Sequence, residues 1–233
     1  MRLNRSMKPK PCYRFCMGPS LKWWIVGTAV TLLILLLMGA CAATRAGYWS
    51  PKYRVVERAS GDVPYEIREY PALVLAATPS KSETEGRDGS FMRLFRFITG
   101  KNEEGRKIPM TTPVFFRGSG SSETMSFVMP EKDGAPAPAP KPSDEQVRIE
   151  QRPEGTYGVL RMSGRRIAER QSALQRLESG LSRSSWTAVG SPEFASYDPP
   201  WIPRFARRDE VLLPVKPRQE AQPKTPRTPP PAP

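Results

Sequence analysis

Chemistry needs nucleophiles, bases or metal ligands held together, and this chain is short of all three. It contains no histidine. That excludes Ser-His-Asp and Cys-His nucleophilic arrangements, imidazole metal ligands and a histidine on an iron centre. Its cysteines, Cys12, Cys16 and Cys41, all precede the main body of the chain. The remainder therefore holds no internal disulfide and no thiolate metal site, and a lone Cys12/Cys16 pair is weak ground for a metal. Glu66, Glu69, Glu103, Glu104, Glu150 and Asp198 form no spacing suited to a general acid and base. Gly118-Ser119-Gly120 is followed by neither a helix start nor the lysine of a phosphate loop. What remains is apolar and soft: Phe91, Leu94, Phe95, Ile98 and Met110, with Arg93 and Arg96 interleaved and Tyr65, Tyr70 and Tyr157 elsewhere. Such groups bind rather than catalyse, so no enzyme is expected.

The stretch that positions those groups runs from Gly89 to Val114. Phe91, Leu94, Phe95 and Ile98 fall at i, i+3, i+4 and i+7 and predict a short amphipathic helix. Arg93 and Arg96 point away from that face. Thr99-Gly100 stops the helix, with Gly100 as the left-handed residue past its end. A charged loop follows from Lys101 to Lys107. Pro113 then disfavours the helical region for the residue before it, so the chain leaves in a strand. The Phe-bearing face has two readings, a packing face that only fills a core or the wall of an apolar ligand groove. Arg93 and Arg96 are correspondingly partners for ligand carboxylates or a solvated surface. The three tyrosines could ligate iron or simply pack in strands. Met110 is a soft ligand or a packed residue.

The chain has 233 residues, enough for one ordinary domain with appendages. A hydrophobic content of 38% with 27 prolines implies that part of the length is not folded core. The net charge of +13 is concentrated at the ends: residues 1–22 carry six Lys/Arg and no acid, and the last twenty carry four Lys/Arg and one Glu. It is therefore poor support for a nucleic-acid surface. Phe91 to Phe97 interleaves Phe with Arg, but its Phe residues fall mostly on the buried face, and no nucleic-acid partner is expected.

Residues 1–22 form a basic N-region predicted to be cytoplasmic. Trp23 to Ala43 follows, 21 residues without a charge. About 20 apolar residues suffice to cross the hydrocarbon core, and the preceding cations place the rest of the chain on the exported side. Three fates fit this segment. Leu37-Met38-Gly39-Ala40-Cys41 resembles a lipobox that would lipidate Cys41; the segment could stay as an uncleaved transmembrane anchor; or cleavage could follow Ala42. Each puts a membrane-anchored or exported domain outside the cytoplasm.

After a spacer at 44–52, residues 53–215 read as one domain. Alternating runs predict strands over Tyr53–Glu57, Tyr65–Tyr70, Ala72–Ala77, Thr112–Phe116, Thr124–Met129, Val147–Gln151, Thr156–Met162, Trp186–Val189 and Val211–Val215. Gly134–Pro142 is too proline-rich for a ladder and reads as an extended loop. Ile167–Leu181 is a second amphipathic helix. Residues 216–233 form a Pro-rich tail expected to be disordered. Ile67 and Pro71 in EIREYP recur as Ile149 and Pro153 in RIEQRP, 82 positions on, each followed by a strand and then a helix. The expected fold is therefore α+β, with two pseudo-repeated β-α-β halves making a sheet or distorted barrel and two helices packed outside.

Several motifs, in order, resemble the SOUL haem-binding family. They are Tyr65-Glu66-Ile67-Arg68 with Tyr70; Gly100-Lys101-Asn102-Glu103-Glu104-Gly105; Met110-Thr111-Thr112-Pro113-Val114; Phe127–Pro130; Pro140–Asp144 with Val147–Glu150; and Tyr197-Asp198-Pro199-Pro200 ahead of Arg207–Val211. The resemblance spans roughly Tyr53 to Val215. It implies a distorted β-barrel of two β-α-β halves. It also implies a shallow apolar groove beside the first helix that holds haem or another tetrapyrrole, which here would be lined by Phe91, Leu94, Phe95 and Ile98. The axial histidine proposed for the family has no counterpart in this chain. The expected function is membrane-anchored tetrapyrrole binding through apolar contact, with Arg93 near the propionates. The alternative is an envelope interaction module that binds no haem and meets protein or cell-wall partners through its Pro-rich tail.

Overall fold

The computed structural model describes residues 23–24, 26–32, 35–36, 39, 47–81, 88–132, 135–136, 138–162, 164, 166–199, 202–203 and 206–218. The chain divides into two compact units, Met1–Ala46 and Gly47–Pro233. The described residues from Trp23 to Gly39 are helical. Among the described residues no helix is long and apolar enough to cross a membrane. The predicted N-region, Cys41 and most of the Pro-rich tail lie outside the described residues.

The second unit begins with β1 (Arg54–Ala59), β2 (Tyr65–Tyr70) and β3 (Leu73–Ser80), followed by helix α1 (Ser90–Ile98). Next come β4 (Val114–Arg117), β5 (Glu123–Val128), a two-residue pair β6 (Glu131–Lys132) and β7 (Ala135–Pro136), β8 (Arg148–Arg152) and β9 (Gly155–Met162). Helix α2 (Ile167–Ser182), β10 (Trp186–Ala188), β11 (Glu193–Ser196) and β12 (Asp209–Pro217) complete it. Part of the stretch expected as an extended loop thus pairs locally, β6 with β7. Strand β11 is absent from the sequence expectation. It is only four residues long, follows Pro192, and starts on a glutamate that is buried.

Ten strands form one antiparallel sheet in the order β1-β2-β9-β12-β11-β4-β5-β3-β8, with β10 on β12. The 82-residue offset maps β2 onto β8 and β3 onto β9, and the order then reads alike from both ends. The pairs Tyr70↔Gly155 and Leu73↔Arg152 are equivalent under that offset. Each half therefore lends its first strand to the other half, so neither half completes its own sheet.

Strand periodicity gives the sheet two apolar faces. The outer face carries both helices. Leu94, Phe97 and Ile98 of α1 and Ala173, Leu177 and Leu181 of α2 join Ile67, Phe116, Phe127, Leu160 and Leu213 in one core. A Cβ on Gly180 would lie 2.9 Å from the Tyr65 ring, so α2 approaches β2 closely only because that position is glycine. The inner face holds Tyr70, Leu75, Phe115, Val128, Tyr157 and Leu212.

The expected barrel is corrected to an open sheet: β1 and β8 are its two edges, and among the described residues no ladder joins them. Side chains draw the sheet round instead. Arg152 on edge strand β8 is buried, with its guanidinium 4.1 Å from the ring centre of Tyr157, 5.0 Å from Phe115 and 5.3 Å from Tyr70. It pairs with Glu193 of β11 at 2.9 Å. One residue thus ties β8 to β2, β9, β4 and β11. Removing its charge strands a buried carboxylate, so Arg152→Met is expected to cost roughly 3–5 kcal/mol in urea unfolding. Adding Glu193→Leu should restore much of that loss. A single mutant as stable as wild type would refute the assigned role.

Candidate ligand-binding site

Helix α1 starts at Gly89, whose φ of 86° suits glycine. The Asp88 carboxylate accepts hydrogen bonds from the N–H groups of Ser90 (3.1 Å) and Lys81 (2.8 Å) and fixes the helix entry to the end of β3. The buried side of the helix is Ser90, Leu94, Phe97 and Ile98. Two of the expected groove residues, Leu94 and Ile98, are therefore core residues with no ligand-facing surface. Phe97 fills the core place that the periodicity gives to Phe95. The buried face lies a fraction of a turn from the expected one, because a run with Phe at 91, 95 and 97 fits two adjacent stripes.

Phe95 is 38% exposed and Met92 46% exposed. The Phe91 ring stacks with that of Phe95 at 6.1 Å between centres and meets buried Phe127 edge-on at 5.3 Å. An apolar ridge of Phe91, Met92 and Phe95 therefore stands on the outside of α1, anchored through Phe127 to the core. Arg93 does not reach along it. Its Nε donates to Thr78 Oγ1 (3.0 Å) and its Nη2 to the Pro79 carbonyl (2.8 Å), which ties α1 to β3. Arg96 is exposed beside the ridge.

The loop after α1 is a brace. Asn102 Nδ2 donates to the carbonyls of Phe97 (3.0 Å) and Arg106 (2.7 Å), and its Oδ1 accepts from the Arg106 N–H (3.0 Å). Gly100 and Gly105 take positive φ on either side. The Glu103 N–H donates to the Lys141 carbonyl at 3.0 Å, pinning the proline-rich loop to the helix end. Beyond it lies an open groove of about 1030 Å³ between Pro138–Pro142 and strand β8, with Val74, Val147 and Ile149 on its wall.

The motif near the C-terminus builds a polar cluster on the inner face. Glu210 pairs with Arg68 (2.9 Å) and Arg208 (3.1 Å). Arg68 also lies over the Tyr53 ring and donates to Tyr70 Oη at 3.2 Å; Arg208 lies over Tyr197 at 3.9 Å. Burial pushes the Tyr70 hydroxyl up and the Tyr197 hydroxyl well above the usual phenol range. Tyr65 and Tyr157 are buried in strands, and Met110 packs against the core. Among the described residues no group of His, Cys, Asp or Glu could hold a metal ion.

The second unit is thus a duplicated antiparallel sheet with both helices on one face, a filled inner face and an exposed aromatic ridge. The chain belongs to the SOUL heme-binding protein family, whose model matches residues 48–214. Among solved structures, a chain of the EcmrR–DNA complex in EcmrR-RPo is similar with a TM-score of 0.50 and 11% identity, over 84% of this chain and 69% of that one. The EcmrR C-terminal domain gives 0.49 at 11% identity, over 67% of this chain and 99% of that one. A hydrolase from Listeria innocua gives 0.45 at 11% identity, over 72% and 94%. At these identities the likeness concerns the fold alone. No curated protein matches the chain.

The helix entry makes a testable pH dependence. Burial alone would raise the Asp88 pKa, but hydrogen bonds from Ser90 and Lys81 and the nearby Arg93 hold it below the ordinary carboxylate value. Its contribution is therefore present above about pH 3.9 and is lost as pH falls through the lower folded value. Asp88→Asn keeps one acceptor oxygen and loses the other, so it should lower the melting temperature at neutral pH through the loss of one hydrogen bond, on the order of 1 kcal/mol. It should also lose less stability than wild type on acidification. Parallel melting curves from pH 5 to pH 2 for the two proteins would contradict this.

Proposed function

We propose that this chain binds haem or a related flat tetrapyrrole by apolar contact on the outer ridge of α1, without an axial histidine and without catalysing a reaction. The observation that carries this reading is the Phe91–Phe95 stack beside exposed Met92. The inner side of the same helix is already fully packed, so these groups are surplus to the core. A planar ring lies flat on such a surface, and Arg96 stands near enough along the helix to meet a carboxylate. Membership of the SOUL family supports the ligand class.

With no imidazole in the chain, affinity comes from buried apolar area rather than a metal–nitrogen bond. Haem and iron-free protoporphyrin should then bind to the full-length protein in detergent with similar affinity, each with a shifted Soret band. Phe95→Ala should weaken both about tenfold, from the loss of one aromatic contact. No Soret shift, or binding indifferent to both Phe95→Ala and Met92→Ala, would overturn the proposal.

The same reading places the domain at a membrane on the exported side. Its support is the run of 21 uncharged residues from Trp23 to Ala43 after six cations. The full chain should stay with the membrane fraction through alkaline extraction, and a chain lacking residues 1–43 should be released. Release of both would refute the anchor.

A further inference from the structure

The two halves of the sheet differ at their outer edges. In the first half, β1 lies along the outer edge of β2, with Arg54 paired to Glu69 at 2.6 Å and Arg58 to Glu66 at 3.0 Å. The 82-residue offset makes β8 the counterpart of β2, but among the described residues no strand pairs with the outer edge of β8. The burial follows. Ile67 is 0% exposed and its counterpart Ile149 is 38% exposed. Arg148 and Gln151 are exposed as well.

The segment standing where the offset would put β1 is Pro136 to Lys141, in which alternate residues are proline. Proline has no N–H and cannot complete a ladder. Ala135 and Pro136 pair with β6 instead, and Pro142 bridges to Asn102. The loop from Pro138 to Pro142 stands off from β8 across the groove of about 1030 Å³. Among the described residues the edge of β8 is thus flanked and left unpaired.

We propose that this groove takes an extended acidic segment of a partner protein as an added strand along β8. An unpaired edge supplies main-chain hydrogen bonds to such a segment, and the neighbouring side chains choose it. The choice of charge follows from the offset. Glu66 and Glu69, which receive arginines in the first half, correspond to Arg148 and Gln151 in the second. The accepting strand has therefore changed from acidic to basic. Lys141 at the rim is already paired with Glu103 at 2.8 Å, and Glu104, which also lines the groove, lies 3.7 Å from Arg106, so Arg148 is the cation that makes the choice. Glu150, the carboxylate on this strand, is already engaged by Arg117 and lies 3.9 Å from Arg148. A second copy is a poor occupant. Its β1 in the equivalent register would set Arg58 against Arg148, and antiparallel β8–β8 pairing centred on Glu150 would set Glu150 against itself and Arg148 against Arg152.

The test uses the full-length chain in detergent and three labelled nine-residue blocked peptides, read by fluorescence anisotropy. One alternates valine and glutamate, one valine and lysine, and one proline and glutamate. The valine–glutamate peptide should bind wild type at least about fivefold tighter than the lysine peptide, since opposed and like charges across strands differ by this order. Arg148→Glu should reverse that preference. The proline peptide should not bind, and Phe95→Ala should leave the preference unchanged, which separates this site from the tetrapyrrole ridge. The proposal is overturned by any one of four results: no peptide binding, equal binding of the two valine peptides, an unreversed order in Arg148→Glu, or full binding of the proline peptide.

Discussion

The guanidinium of Arg152 holds this fold together. It belongs to an edge strand, yet it lies buried among Tyr70, Phe115 and Tyr157 and against Glu193. Those partners come from four other strands, two of them at the far end of the sheet's hydrogen-bonded path. A cation stacked on aromatic faces away from water is worth up to about 2 kcal/mol per contact, and its ion pair is not screened by solvent. Side chains thus draw round a sheet that backbone hydrogen bonds leave open. Arg152 is also the repeat counterpart of Tyr70. The duplication placed one ring and one cation at equivalent positions, where they meet across the interior.

The same duplication explains why the two ends of the sheet now differ. In the first half Arg54 and Arg58 hold an added strand on β2 through Glu69 and Glu66. In the second half the acidic partners are gone and the flanking segment is rich in proline. Neither change disturbs the register, because Tyr70↔Gly155 and Leu73↔Arg152 are made by the crossed first strands rather than by the outer edge. The edges were free to diverge once the crossed pairing had fixed the sheet.

Most of this architecture could be read from the chain. The recurrence of Ile67/Pro71 as Ile149/Pro153 carries the duplication, and both helices follow from 3.6-residue periodicity. Several features could not be read. The curl of the open sheet depends on Arg152 and Glu193 being buried, whereas charged residues in a sequence read as exposed; only their partners from distant strands make burial tolerable. The stripe on α1 is ambiguous because aromatic residues crowd it, and the periodicity fits Phe95 inside as readily as Phe97. The exposure of Ile149 was also hidden, since a local pattern identical to that of Ile67 says nothing about whether a neighbouring strand is present.

The packing of the interior constrains where any ligand can go. A curled sheet of this size invites the idea of a lumen, as in barrels that enclose small molecules. Here the inner face is filled: Leu75, Phe115, Val128 and Leu212 are at most 1% exposed, and Arg152 with its ring partners occupies the middle. Opening a cavity there would separate Arg152 from Glu193 and leave two charges without water. The inner face therefore offers no room for a ligand, and both proposed binding surfaces, the ridge of α1 and the edge of β8, lie outside it. On such open surfaces affinity is limited by the one face of the ligand that can be covered. The bracing of α1 by Asp88, Arg93 and Asn102 would favour the proposed binding, because a ridge held rigid loses little further entropy when a flat ligand settles on it.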